Sequence, residues 1–206
     1  MASFGASEKG EDHHEDEDTI LIDDNLGLYA VADGVTLPHG GGLASRLAIK
    51  TLRSQFKDNL EETIEQVNKT VLDEKKKTPE IGSTTLTAAH LTDSKLKIAH
   101  VGDSYGFVIR NARIILGTEP QNRDGFLTNT IGGYFEGIKN YKQMVEPGDC
   151  IVLATDGVTA VLARNEIASI VTNYVEPRKI VEHLLREVGR RPRQYRDDRS
   201  MVVVRT

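Results

Sequence analysis

The amino-acid sequence predicts an α+β fold, with antiparallel strands in the core and helices outside it. Apolar periodicity switches between 2 and 3.6 along the chain. The resulting order is strands, a helix pair, strands, a second helix pair and a last strand. Helices that come in pairs, not singly between successive strands, disfavour a parallel doubly wound sheet and favour an antiparallel one. A length of 206 residues fits a single core, since cores grow to roughly 250 residues before chains split. Residues 1–206 are therefore expected as one domain, with residues 1–11 as a flexible acidic lead-in.

Each element has its own signal. Thr19-Ile20-Leu21-Ile22 and Leu28-Tyr29-Ala30-Val31-Ala32 are apolar runs separated by the turn formers Asp23-Asp24-Asn25-Leu26-Gly27, which makes a β-hairpin. Pro38 and Gly40-Gly41-Gly42 then interrupt regular structure. A helix follows on Leu43, Leu47, Ala48, Leu52 and Phe56, and a second on Leu60, Ile64, Val67 and Val71, stopping by Pro79. Residues 83–91 and 95–101 are rich in Thr and aliphatic side chains, and 107–110 and 113–116 flank an Asn111-Ala112 turn, so this stretch reads as an antiparallel meander. Residues 117–126 are polar and irregular. Residues 150–154 form a buried strand, 165–175 and 178–188 are helical, and 201–204 are the last strand.

Composition narrows the class. With 38% hydrophobic and 28% charged residues, the chain has the make-up of an ordinary globule. No window approaches the ~20 apolar residues of a membrane span, and the start lacks the basic-then-apolar layout of a signal peptide, so a cytoplasmic protein is expected. Cys150 is alone, which excludes an intrachain disulfide and a Cys-rich zinc site. It reads as a small apolar residue entering a strand, with no histidine near it in sequence to activate the thiol. The net charge is -5, and residues 1–24 hold nine acids against the single base Lys9. That balance argues against nucleic acid as the main partner, although Arg190, Arg191, Arg193, Arg196 and Arg199 make the far end basic.

Apolar strands repeatedly begin or end on aspartate. Asp18 precedes Thr19-Ile20-Leu21-Ile22, Asp33 follows Ala30-Val31-Ala32, Asp156 follows Val152-Leu153-Ala154-Thr155, and Asp197-Asp198 stand before Met201-Val202-Val203-Val204. Glycine follows Asp33 and Asp156, which lets the backbone turn sharply and its carbonyl approach a ligand. Singly, an aspartate at a strand end reads as a turn or capping residue. Gathered at one sheet edge, carboxylates repel one another unless a cation is present, and all-oxygen donors suit Mg²⁺ or Mn²⁺. A two-metal site is expected, with ions that offset part of the charge of the acidic opening. The chain has no Gly-x-x-x-x-Gly-Lys phosphate loop, no Gly-x-Ser-x-Gly elbow and no His-Glu-x-x-His zinc helix.

A series of short motifs occurs in a telling order: Glu17-Asp18; Val31-Ala32-Asp33-Gly34 with Ala44-Ser45-Arg46-Leu47-Ala48; Gly82-Ser83-Thr84-Thr85; Val101-Gly102-Asp103-Ser104; Ile131-Gly132-Gly133; Pro147-Gly148-Asp149 leading to Ala154-Thr155-Asp156-Gly157-Val158; and Asp197-Asp198-Arg199-Ser200. In these the chain resembles the PP2C (PPM) family of metal-dependent serine/threonine protein phosphatases, as a small prokaryotic-type member, over residues 17–204. The resemblance implies a β-sandwich of two antiparallel sheets with a helix pair on each outer face. It also implies that Asp33 bridges two catalytic Mn²⁺ or Mg²⁺ ions, that the Gly34 carbonyl binds one of them, and that Asp156 and Asp197 complete the protein ligands. Asp18 joins the metal set, Glu17 and Asp198 act on water around the ions, and Asp103 with Asp156 resembles the pair that holds a weaker third metal. The implied reaction is attack of a water bridging the ions on phosphoserine or phosphothreonine in proteins, with no phosphoenzyme. Phosphorylated proteins and a cognate kinase are the implied partners.

The chain departs from the family pattern in places. Where many members carry a phosphate-gripping arginine, it has His13, which cannot make a bidentate arginine contact. His13 is thus the expected phosphate contact and, with His14, the expected proton donor to the leaving alkoxide. Lys9, His14 or His39 could replace the lost grip on phosphate. Asp198 stands where many members have Asn, residues 35–42 alter the usual glycine-rich turn, and the flap segment near 117–126 is short. These departures motivate an alternative reading, a catalytically weak regulator or phosphoprotein-binding module on the same fold.

Overall fold

A computed structural model describes residues 1–35, 39–192 and 196–206. Pro38 and the middle of the altered turn, and Arg193 of the basic end, lie outside the described residues. Two five-stranded antiparallel sheets form the centre. One has the order β1 (Ala2–Glu8), β12 (Arg199–Arg205), β11 (Cys150–Ala154), β6 (Tyr105–Arg110) and β7 (Arg113–Gly117). The other has the order β10 (Lys139–Met144), β5 (Lys95–Val101), β4 (Leu86–Thr92), β3 (Leu28–Ala32) and β2 (Thr19–Asp23). Helices α1 (Gly41–Gln55) and α2 (Leu60–Lys77) cover the second sheet. The first is covered by α4 (Arg164–Thr172) and α5 (Pro177–Arg190), with the short α3 (Asp156–Thr159) after β11. The expected sandwich with a helix pair on each outer face is the fold observed.

Alternation along the strands produces these layers. In β3, Leu28, Ala30 and Ala32 pack with α1 and α2, while Tyr29 and Val31 face the opposite sheet. In β11, Cys150, Val152 and Ala154 pack under the second helix pair, and Ile151 and Leu153 fill the space between sheets. The helices are set by local signals as well as burial. The Asn59 side chain caps α2 by accepting from the Glu62 N–H, acids occupy its first turn, and Lys75, Lys76 and Lys77 occupy its last. Pro177 opens α5, whose Ile180, Val181, Leu184, Leu185 and Val188 are buried. No helix of the described residues is long and apolar enough to cross a membrane.

Two strands depart from expectation. Residues 2–8, expected as part of a flexible lead-in, are the edge strand β1, paired along its whole length with β12 from Ala2–Arg205 to Glu8–Arg199. Their small side chains give little strand signal. The strand exists because the valine-rich β12 offers a ladder and α5 offers cover, with the Arg178 guanidinium 4.3 Å above the Phe4 ring. The polar β10 likewise has no apolar pattern and is fixed by pairing with β5 at the other sheet's edge. The short flap contains a two-stranded hairpin, β8 (Asn122–Arg123) and β9 (Phe126–Leu127), turned by Asp124 and Gly125 at positive φ.

Candidate metal centre and active site

Antiparallel register brings the aspartate-bearing strand ends to one edge of the sandwich. Thr19 pairs with Ala32, so Asp18 and Asp33 flank the same end of the β2–β3 hairpin. Ala154 pairs with both Met201 and Tyr105, which brings the start of β12 and the β5–β6 turn beside the end of β11. Asp156 then opens α3, and Gly157 permits the close crossing of chains there. A Cβ on Gly157 would lie 1.8 Å from the Asp198 carbonyl oxygen.

The backbone around these carboxylates is held by buried hydroxyls. Asp33 donates its N–H to Thr85 Oγ1 at 3.0 Å, and its carbonyl accepts from Thr84 Oγ1 at 2.7 Å. Thr155 Oγ1 donates to Asp18 Oδ2 at 2.9 Å and accepts from the Ser200 N–H at 3.0 Å, tying β2, β11 and β12 together. Ser45 donates to the Glu17 carbonyl at 2.6 Å, and Glu17 Oε1 accepts from the Gly42 N–H at 3.4 Å. None of these hydroxyls is identified by sequence reasoning, although Thr155, Ser200, Ser45 and Thr85 all stand inside the motifs. Their partners are distant in sequence: Thr155 and Asp18 are 137 residues apart.

Electrostatics show that the aspartates share one space. Burial pushes the Asp33 carboxyl well above the usual range, and the charges of Asp18, Asp156, Asp197 and Asp103 push it further. Asp156 is raised to about 6 by burial and by Asp197 and Asp103, against the lowering effect of a hydrogen bond with Asp33. Asp18 is raised by burial and by Asp198 and Asp16, against hydrogen bonds from Ser200 and Thr155. Asp103 is raised by burial and steadied by Asn122 Nδ2, which donates to it at 3.2 Å from the flap. Among the described residues no lysine or arginine pairs with Asp18, Asp33, Asp103 or Asp156. Asp156 Oδ1 is buried without a hydrogen-bond partner among the described residues. An orphaned carboxylate oxygen amid like charges is the arrangement a divalent cation satisfies, so these residues fit the metals that the sequence led us to expect.

Asp198 and His13 are arranged differently from the rest. Asp198 is 2% exposed and accepts from the Gly10 N–H at 2.6 Å and the Glu17 N–H at 2.7 Å. It fastens the N-terminal segment to β12. His13 Nδ1 lies 2.8 Å from Asp198 Oδ2, and Nε2 lies 3.5 Å from Asp197 Oδ1. Burial lowers the His13 pKa, but Asp198, Asp197 and Glu17 outweigh it and the net shift is upward. Beside this ring a cleft of about 270 Å³ is lined by Asp12, His13, His14, Glu15, Glu17 and His39.

The model of the family described as protein phosphatase 2C matches residues 6–195. The chain belongs to the protein phosphatase 2C family. A probable protein phosphatase 2C of Oryza sativa subsp. japonica is 28% identical over 239 residues, covering 95% of this chain and 82% of that protein. The serine/threonine phosphatase stp of Listeria monocytogenes is 26% identical over 196 residues, covering 77% of each. Among solved structures, the catalytic domain of the serine/threonine protein phosphatase PstP, in complex with two manganese ions, superposes with a TM-score of 0.82 at 20% identity, over 98% of this chain and 96% of that one. Family and fold together put the protein among the PP2C-type serine/threonine phosphatases.

Proposed function

We propose that the chain, as a single domain over residues 1–206, hydrolyses phosphoserine and phosphothreonine in proteins with two Mn²⁺ or Mg²⁺ ions. The observation that carries this is the shared aspartate edge: the charges of Asp18, Asp156, Asp197 and Asp103 all push up the Asp33 carboxyl, those of Asp197 and Asp103 push up Asp156, and Asp18, Asp33, Asp103 and Asp156 have no lysine or arginine partner among the described residues. In this reading Asp33, Asp156, Asp197 and the Gly34 carbonyl hold the two ions, and Asp103 with Asp156 offers a weaker third place. When bound, divalent ions supply Lewis acidity toward water and toward the phosphoryl oxygens.

The remaining chemistry falls to the chain. Thr155 orients the Asp18 carboxylate through its hydroxyl. Asp198 holds the Glu17 backbone so that the Glu17 side chain stays at the edge. His14, in the adjoining cleft, gives the departing serine or threonine oxygen its proton. A kinase that forms such phosphoproteins is the implied counterpart, and the cytoplasm is the proposed setting. The test is phosphate release from a phosphothreonine peptide by purified protein with Mn²⁺. Turnover that disappears in Asp33→Asn supports the reading. No release from either the peptide or a small aryl phosphate refutes it, and Mn²⁺ binding without turnover would favour a phosphoprotein-binding regulator instead.

A further inference from the structure

We propose that His13 is a nitrogen ligand of the divalent centre, joined to it beside Asp197, and that this centre therefore favours Mn²⁺ over Mg²⁺. The inference rests on the metal-dependent reading of the aspartate edge and adds a ligand that the aspartate set lacks. Among the described residues, one group of three potential ligand side chains has atoms all within 4.8 Å of one another, and it is His13, Asp197 and Asp198.

The ring is oriented for this role by a carboxylate that is itself immobilised. Asp198 is held by the backbone N–H groups of Gly10 and Glu17, and it faces His13 Nδ1 at 2.8 Å. A histidine that donates one ring N–H to a carboxylate presents the other nitrogen as the donor to a metal, the usual pairing at metal-binding histidines. Here that nitrogen is Nε2, turned toward Asp197 Oδ1 at 3.5 Å. Two donors on one ion, with bonds of about 2.0–2.2 Å, stand about 3.0–3.5 Å apart. Asp197 in turn acts on both Asp33 and Asp156, so an ion at Asp197 belongs to the shared edge. The imidazole is 6% exposed and is shorter than the arginine side chain common at this position. An imidazole in an otherwise oxygen-lined centre favours transition ions, whereas Mg²⁺ is suited by oxygen donors alone.

The test is pulsed electron paramagnetic resonance of the full chain loaded with Mn²⁺, alongside calorimetry of Mn²⁺ and Mg²⁺ binding. The expected result is ¹⁴N modulation from a coordinated imidazole in the wild type, lost in both His13→Ala and His13→Arg while Mn²⁺ still binds. The preference for Mn²⁺ over Mg²⁺ should fall by about tenfold or more in the same variants. His13→Arg installs the residue common in the family, and the wild-type spectrum alone decides the matter if a variant fails to fold. Bound Mn²⁺ without imidazole modulation overturns the proposal and leaves the metal-dependent reading standing, as does modulation that persists in His13→Ala. Failure of the wild type to bind Mn²⁺ overturns both.

Discussion

Asp149 stands immediately before β11 and Asp156 two residues after it, and the protein treats the two carboxylates in opposite ways. Asp149 is 1% exposed, yet Arg110 reaches it with two donors at 2.8 and 2.7 Å and the Glu146 N–H adds a third at 2.9 Å. Burial pushes its carboxyl up, but these contacts bring it below the usual range. Among the described residues no such cation pairs with Asp156 at the other end, which faces Asp197 and Asp103 and is raised to about 6. Where a carboxylate is structural, the chain supplies the positive charge. At the aspartate edge no such charge is supplied among the described residues, and in the proposed function divalent ions would provide it.

The contrast can be broken at either end. Asp33→Asn should reduce Mn²⁺-dependent phosphate release by at least about a hundredfold, the scale of losing one preorganised electrostatic group. The same change should leave the metal-free melting temperature unchanged or higher, because it removes a like charge. Asp149→Ala should do the reverse. It removes the buried acceptor of two Arg110 donors and of the Glu146 N–H, leaving Arg110 only the more exposed Glu146 carboxylate, and costs about 2 kcal/mol of stability in denaturant unfolding, with little effect on turnover per folded molecule.

The pH response should separate the two ends as well. Folded Asp156 titrates near 6 against an ordinary value near 3.8, so the folded state binds more protons between those values. Stability of the metal-free protein from this group is therefore present at low pH and lost as pH rises through about 6. Asp149 has the opposite sign, since its contribution is present at neutral pH and lost on acidification. Saturating Mn²⁺ should cancel or invert the Asp156 trend, because ligands must be deprotonated to bind. Thermal unfolding between about pH 4.5 and 7, with and without Mn²⁺, reads this out. The smallest effect belongs to Cys150, whose thiol is pushed up to about 12 by burial inside the same strand. Cys150→Ser should leave turnover unchanged, and the native thiol should resist alkylation.

The sequence made one end of this comparison plain and left the other obscure. Strands β2, β3, β11 and β12 and the four long helices follow from apolar spacing, and the aspartates were visible because each stands in a short local motif. Strands β1 and β10 were not, since they are edge strands whose stability comes from a neighbour's ladder. Part of the charge of the acidic opening was expected to be offset by ions at its downstream end, Glu17-Asp18, and the structure adds ion pairs upstream of it. Arg199 pairs with Glu8 at 2.8 Å, and Arg196 pairs with Glu11 and donates its N–H to Asp12. The basic end thus neutralises part of the acidic start, Arg46 and Arg53 of α1 pair with Glu15 and Asp23, and among the described residues Asp18 and the buried Glu17 have no such cation. The hold of Asp198 on Gly10 spans 188 residues, and no local pattern encodes a contact of that range.

Calorimetric titration of the metal-free chain with Mn²⁺ tests the central claim most directly. We predict at least two ions bound per chain with net release of protons, and loss of at least one of those ions in Asp33→Asn. A chain that takes up no Mn²⁺, or binds it equally well in Asp33→Asn, would contradict the account.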